Sequence, residues 1–245
     1  MLLRDCMSLS PDELSLAKSG LEQITKPFSD LIRTLFGGAT EEIGAMLTDS
    51  FRARRLGRLA TKILPKLKAQ IEQAGITPGQ VPDNIWAPAL EAATLTDDET
   101  LQEKWAALLS SAADPELTSS VQVCFINILA QLSPQDAKFL DAIFEQATTP
   151  TFNFGGSIGS QAAGTERELF ALYFSRVEPG GRESLLAPEK ATALQWDQFS
   201  IAKDNLLRNQ LLEEARLSEP FAFDEPQLAL TGLGSAFVRA CGSRR

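Results

Sequence analysis

The chain has 245 residues, an apolar content of 44% and a formal net charge of −9. This length allows one large domain or two smaller ones with buried cores. Cys6, Cys124 and Cys241 are far apart and show no C-x-x-C spacing, which argues against a zinc cluster and favours a reduced, cytoplasmic setting. The sequence has no histidine, which excludes Ser-His and Cys-His catalysis and removes the commonest metal ligand.

The first 50 residues predict helices. Residues 1–25 lack the apolar core of a signal peptide and predict a lead-in helix that starts at Ser10. The chain has no run of about 18 apolar residues, so we expect no ordinary transmembrane helix. Residues 28–49 have helical apolar spacing around two glycines, which fits a core helix hairpin or a membrane-surface element. We favour the hairpin because four charged residues would be awkward in lipid: Asp30, Arg33, Glu41 and Glu42.

Residues 51–75 concentrate positive charge, with seven Lys and Arg residues and one acidic residue. At about 100° per residue, the aliphatic side chains of residues 51–72 share one arc and the cations the opposite arc, which predicts a basic amphipathic helix. We expect Pro65 to kink or divide this helix and Gly75 to end it. The candidate anion- or partner-binding residues are Arg54, Arg55, Arg58, Lys62, Lys66 and Lys68.

The positive face has three interpretations. It binds an anion, either nucleic acid or a lipid headgroup surface. Alternatively, it contacts the segment 76–131, within the chain or between subunits, because that segment holds eight acidic residues and one basic residue. The third interpretation is an ordinary solvated helix face. Because no aromatic residue interleaves the cations, any nucleic-acid contact would be to phosphates and independent of sequence.

The acidic segment predicts three helices, over residues 84–93, 96–113 and 119–131. Thr96 and Glu99 have the spacing of a capping box that opens the second helix. Trp86 and Trp105 fall on apolar stripes and are expected to be core anchors. The three successive acids at 97–99 are expected at a helix start, so we predict no metal site there.

The second half of the chain predicts helices and one hairpin. We expect a helix from Ser133 through residue 147, a mobile Gly-rich loop over 148–164 and a helix opened by a capping box at Thr165. A further helix is predicted over 196–214 and a closing helix over 231–241. Extended pieces near 220–223 and 227–230 predict a hairpin. The Gly-rich loop lacks the Gly-Lys-Ser/Thr of a phosphate-binding loop.

This order of elements matches a winged helix-turn-helix module. In a DNA-binding module of this kind, Lys203 and Arg208 would be the DNA-facing residues of the recognition helix. However, residues 132–245 hold eleven basic and fifteen acidic residues, so a duplex would be repelled. We therefore favour a protein-contact or packing role for this module over DNA reading.

The predicted fold class is mainly α: an N-terminal helical domain followed by a winged helix-turn-helix-like domain with a small β-hairpin. The predicted domains are 1–131, with the basic amphipathic helix 51–72, and 132–245, with the Gly-rich loop 148–164. We predict no catalytic residues, no cofactor-binding residues and no metal ligands.

Several stretches of the sequence resemble a known family. These are GITPG, VPDNIWAPALEAATLTDDETLQEKWAALLSSAADP, FINILAQLSPQDAKFLDAI, LLRNQLLEE and LALTGLGSAFVRAC. They resemble the abortive infection alpha (Abi-alpha) proteins of bacteria, well over residues 50–145 and more loosely over 196–241. The resemblance implies a cytoplasmic bacterial protein that helps to halt phage propagation. It implies no catalytic residues.

The sequence thus leads to three functional hypotheses. The first is a non-enzymatic adaptor or sensor of an anti-phage system that binds protein: itself, another defence component or a phage protein. The second is a winged-helix DNA-binding regulator. The third is a membrane-surface effector acting through residues 28–72 on anionic lipid. We expect a cytoplasmic location, peripheral at the inner membrane under the third hypothesis.

Overall fold

The computed structural model describes residues 26–37, 57–148, 161–177, 191–215 and 227–242. Within these ranges, the chain forms nine α-helices and one three-stranded antiparallel sheet. This confirms the predicted class, mainly α with a small β element. The chain divides into two compact units, one of Met1–Ala130 with Cys241–Arg245 and one of Gln131–Ala240.

The first unit is helical. Its helices are α1 (Ser29–Phe36), α2 (Leu64–Ala74), α3 (Asp83–Leu95), α4 (Glu99–Ala113) and α5 (Val123–Gln131). Twelve of the fifteen residues of α4 are buried, which makes this helix the centre of the unit. Trp86 and Trp105 are buried as predicted, and their indole N–H groups donate to Asp83 and Thr96 at 3.0 and 3.2 Å.

The basic segment stays helical through Pro65. A π-helical turn, Leu59–Ile63, leads into α2, and the backbone N–H of Leu64 donates to the carbonyl of Leu59 five residues earlier. Proline has no N–H to donate to the carbonyl four residues before it, and the wider π-helical turn lets the helix continue without this hydrogen bond. Pro65 therefore changes the helical pitch without dividing the helix. Gly75 ends α2 in the left-handed region, at φ 64°, as predicted.

Two predicted helix starts in the first unit are wrong. The residue that caps α4 is Asp98, whose carboxylate accepts a backbone N–H of the first turn at 3.1 Å. Thr96 instead donates its hydroxyl to the last turn of α3, so it belongs to the preceding helix end. The helix predicted over 119–131 begins only at Val123, because a 3₁₀ turn, Thr118–Ser120, precedes it.

The second unit combines four helices with the sheet. In chain order it forms α6 (Pro134–Thr148), β1 (Gln161–Thr165), α7 (Glu166–Arg176), α8 (Ala193–Arg208), β2 (Leu212–Ala215), β3 (Gln227–Leu230) and α9 (Gly232–Cys241). β3 is the central strand and is antiparallel to both neighbours. Leu230 lies opposite Gln161 of β1 and Leu212 of β2.

Three predictions for this unit need correction. Residues 161–164, predicted as the end of the Gly-rich loop, are part of β1. The helix predicted to run to residue 214 ends at Arg208, and Gln210 turns the chain with φ 58°. The hairpin partner of β3 is therefore the LEEA stretch of β2, whereas the sequence pattern indicated residues 220–223, which lie outside the described residues.

Side-chain caps and aromatic packing hold the second unit together. The capping box predicted at Thr165 is present, with Glu168 as its second member. Ser133 and Asp136 cap the start of α6 reciprocally, at 2.9 and 3.1 Å. Six rings from three helices lie within about 6 Å of a neighbouring ring and form one cluster: Phe139, Tyr173, Phe170, Phe174, Trp196 and Phe199.

Some predicted features lie outside the described residues. They are the lead-in helix 1–25, the part of the 28–49 segment beyond residue 37, and residues 149–160 of the Gly-rich loop. None of the described helices combines the length and apolar character that a membrane span requires.

Candidate interaction surfaces

The cations of the basic helix meet the acidic start of α4. Arg58 forms a salt bridge with Asp97 at 3.0 Å. Lys66 forms salt bridges with Glu99 and Glu103, both at 3.1 Å. Arg58 and Lys66 thus form ion pairs with acidic residues of the segment 76–131 in the same chain.

Helix periodicity explains this match. Glu99 and Glu103 are four residues apart on α4, so their carboxylates lie on one face and converge on one ammonium group. Arg58 precedes Lys66 by eight residues and reaches Asp97, just before α4, and it also donates to the carbonyl of Thr94 at 3.3 Å. That carbonyl lies in the last turn of α3, where the helix dipole favours a cation.

The environment of Lys66 changes its protonation equilibrium. Partial burial alone would lower its pKa, since burial penalises the charged form. Hydrogen bonds to Glu103 and Glu99, and the negative charges of these residues, outweigh that effect, so the pKa of Lys66 is raised. Lys66 therefore stays cationic over the physiological pH range.

The other predicted cations of this helix have different surroundings. Lys68 lies 3.8 Å from Glu72, one turn later on the same helix. The side chain of Lys62 is exposed to solvent. Arg54 and Arg55 lie outside the described residues. The structure thus gathers Arg58 and Lys66 at one junction and leaves Lys62 and Lys68 on the surface.

The second predicted site is on α8, and its lysine faces inward. Lys203 contacts Glu166 at 2.5 Å, and its side chain is 19% exposed. Its ammonium group also lies 5.9 Å from the centroid of the Phe199 ring. Arg208 is exposed and donates to Asn205 at 2.6 Å. The two predicted DNA-facing residues therefore do not form one cationic surface.

The outward face of α8 carries aliphatic side chains that the sequence patterns did not single out. Leu194 is 67% exposed and Ile201 is 70% exposed. They are seven residues apart, about two helical turns, and lie on the side of α8 opposite the buried Phe199. With the exposed Asp197, Asp204 and Arg208 they form one stripe, which we call the α8 outer stripe: Leu194, Asp197, Ile201, Asp204 and Arg208.

The sequence held a signal for this stripe. Its members are spaced by three, four, three and four residues, which places them along one face of a helix. Apolar spacing usually indicates the buried face, and Phe199, Ala202 and Leu206 account for that face here. Two further aliphatic residues about 200° away around the helix from Phe199 therefore indicate a second apolar surface.

The described residues contain no group of three His, Cys, Asp or Glu side chains placed to hold a metal ion. Cys124 is exposed and Cys241 is buried.

The family profile described as abortive infection alpha matches residues 52–241. The chain belongs to the abortive infection alpha family. Membership of this family indicates a role in abortive infection, a form of phage defence. No curated protein and no solved structure matches the chain.

The match of the abortive infection alpha profile includes both surfaces described above. It begins at residue 52, covers the junction of the basic helix with α4, and continues through the α8 outer stripe to residue 241. The first 51 residues of this abortive infection alpha chain lie outside it.

Proposed function

We propose that this abortive infection alpha protein acts in phage defence as a non-enzymatic adaptor or sensor that binds protein. Its partner is a second copy of itself, another defence component or a phage protein. The observation that carries the proposal is the α8 outer stripe, where Leu194 and Ile201 are exposed at 67% and 70%. Exposed aliphatic side chains that share one helix face are typical of surfaces that bind other proteins.

The charges of the second unit support protein binding over nucleic-acid binding. A phosphate-binding helix presents free cations, and Lys203 of α8 is engaged by Glu166. The outer stripe has two carboxylates and one guanidinium. The helix pair between β1 and β2 and the sheet order β1-β3-β2 support a winged-helix-like module. We assign this module to protein contact because of its outer stripe.

The charges of the first unit support the same conclusion. Arg58 and Lys66 are bound by carboxylates of the same chain, so an anionic surface would have to compete with existing ion pairs. The lack of histidine in the sequence supports a function without hydrolytic chemistry. As part of this proposal we place the protein in the cytoplasm.

The test is affinity capture from cells that express the tagged chain, with and without phage infection, read by mass spectrometry. We compare the parent chain with Ile201→Asp, which puts a charge at the centre of the outer stripe. The matched control is Leu95→Asp, because Leu95 is also exposed, at 56%, but lies in the first unit. The proposal predicts a protein partner that is lost with Ile201→Asp and kept with Leu95→Asp. Recovery of nucleic acid or lipid alone would contradict it.

A further inference from the structure

We propose that the α8 outer stripe binds an amphipathic helix of another protein, one that presents aliphatic and basic side chains in alternation along one face. This inference rests on the proposed function, since it names the chemistry of the partner at the same surface. The carrying observation is the order of side chains along the stripe. Leu194 and Ile201 are aliphatic, Asp197 and Asp204 lie one step after them, and Arg208 closes the row.

The repeat distance of the stripe selects a helix over an extended segment. Leu194 and Ile201 are seven residues apart, which is about 10.5 Å along the axis of α8, and the two aspartates have the same spacing. A facing helix reproduces this distance on one of its faces with its own seven-residue repeat. An extended segment rises about 3.3 Å for each residue, so its side chains on one face are about 6.6 or 13 Å apart, and neither distance matches.

The charge of the stripe determines the sign of the partner. Its two carboxylates outnumber its one guanidinium. Asp197 and Asp204 make no ion pair and no side-chain hydrogen bond within the part of the chain that the structure describes. The acidic residues at the start of α4, by contrast, are paired with Arg58 and Lys66. Lysine or arginine on the partner would complement the two aspartates, whereas nucleic acid, anionic lipid or a second copy of the stripe would set negative charge against them.

The basic helix of a second copy does not have the required surface. Its aliphatic residues Leu59, Ile63 and Leu67 are at most 5% exposed, because they pack in the core of the first unit. They therefore cannot contact Leu194 and Ile201 of another molecule. Two of its cations are also paired with α4 already. The partner helix accordingly belongs to a different protein.

One end of the stripe adds a further element of specificity. The guanidinium of Arg208 donates to Asn205 at 2.6 Å, and the amide of Asn205 donates to the buried Asp136 of α6 at 2.6 Å. This chain of hydrogen bonds orients Arg208, which lowers the entropy cost of a contact with the partner. An acidic residue of the partner seven residues from the one that faces Ile201 would complement this end.

The size of the stripe limits the strength of the contact. A helix of sixteen residues is about 24 Å long and about 10 Å wide, which gives about 240 Å². Stable interfaces bury about 800 Å² for each partner. We therefore expect weak binding of a single helix, and an affinity that falls as salt screens the charges.

The test is fluorescence anisotropy of two labelled synthetic helices of three heptads, titrated with the purified full chain. One peptide carries leucine at every a position and lysine at every d position, and the other carries glutamate in place of lysine. We expect the lysine peptide to bind the parent chain and to lose at least about fivefold in affinity with the double variant Asp197→Lys, Asp204→Lys. The glutamate peptide should bind this variant better than the parent chain.

The matched control is the double variant Glu91→Lys, Glu116→Lys. Both glutamates are exposed and lie in the first unit, and their replacement changes the net charge by the same amount. This control should leave the affinity of both peptides unchanged. Equal weakening of the lysine peptide by the two double variants would overturn the inference, because binding would then follow net charge alone. Absence of binding, or a glutamate peptide that binds the parent chain as well as the lysine peptide does, would overturn it too.

The outcomes also separate this inference from the proposed function. If affinity capture from cells yields a protein that is lost with Ile201→Asp but kept with Asp197→Lys, Asp204→Lys, the proposed function stands and the chemistry of the partner is wrong. Circular dichroism of each variant checks folding. Improved binding of the glutamate peptide by the aspartate variant cannot come from a folding defect.

Discussion

Reversing the charge of Lys66 tests whether the basic helix is a structural partner of α4. Lys66→Glu removes two salt bridges, each 3.1 Å long, and sets a third carboxylate beside Glu99 and Glu103. Exposed ion pairs contribute about 0.2–1 kcal/mol each. Repulsion between unit charges about 4 Å apart in water is about 1 kcal/mol, and the new side chain turns partly away. We expect a loss of about 1–3 kcal/mol in the free energy of unfolding.

The matched control is Lys62→Glu, on the same helix and with the same change of charge. Lys62 is exposed and has no ion-pair partner among the described residues, so we expect a change within about 0.5 kcal/mol. The assay is urea unfolding followed by tryptophan fluorescence, to which Trp86 and Trp105 of the first unit contribute. In 1 M salt the difference between the variants should shrink, because the screening length falls to about 3 Å. Equal losses for both variants would refute the assignment of Lys66.

Three further predictions concern stability. Gly234→Ala should lower the free energy of unfolding by about 1–3 kcal/mol or more, because a Cβ there would lie 2.3 Å from the backbone oxygen of Leu211. The control Gly232→Ala should be nearly neutral, because a Cβ there has nothing within 4 Å. Thermal unfolding compares the two variants. Thr165→Ala should cost about 0.5–2 kcal/mol through loss of the α7 cap, measured by urea unfolding. For Lys66→Met, the stability lost relative to the parent chain should be constant from pH 6 to pH 9. Because the pKa of Lys66 is raised, its contribution to the free energy of unfolding is full below the ordinary pKa of 10.5 and fades as the pH rises through the folded-state pKa. A stability difference between Lys66→Met and the parent chain that grows above pH 10.5 would contradict this.

Local sequence signals predicted those elements that are set by local chemistry. The capping box at Thr165 is present because three local signals indicate the same helix start: the Thr165 hydroxyl, the Glu168 side chain and the apolar stripe that follows. At Thr96 the same spacing gave a wrong prediction, because Asp98 competes for the cap and Trp105 takes the threonine oxygen as its hydrogen-bond acceptor. Local spacing cannot weigh such a tertiary contact.

Strand pairing was the less predictable part of the fold. The LEEA stretch of β2 reads as a continuation of α8, since leucine and glutamate favour helices. The chain leaves the helix after Arg208 because Gln210 takes a left-handed conformation and Leu211 and Leu212 are buried, Leu212 as the first residue of β2. β1 has the small residues QAAGT, which carry no alternating apolar signal, so only its pairing with β3 makes it a strand.

The candidate surfaces were likewise predictable only in part from the sequence. The positive arc of the basic helix and the acids opposite it were visible in the sequence, and so was their mutual contact as one alternative. Which cation meets which carboxylate depends on the π-helical turn at Leu59–Ile63 and on the packing of α2 against α4. Spacing alone does not tell a buried aliphatic residue from an exposed one, so only the structure identifies Leu194 and Ile201 as exposed.

Under the proposed function, this protein defends the cell through a protein contact made by the α8 outer stripe. The most direct measurement is the plating efficiency of phage on cells that express the parent chain, Ile201→Asp or Leu95→Asp at equal protein levels. We predict that Ile201→Asp abolishes protection while Leu95→Asp keeps it. Full protection by a soluble, folded Ile201→Asp chain would contradict the claim.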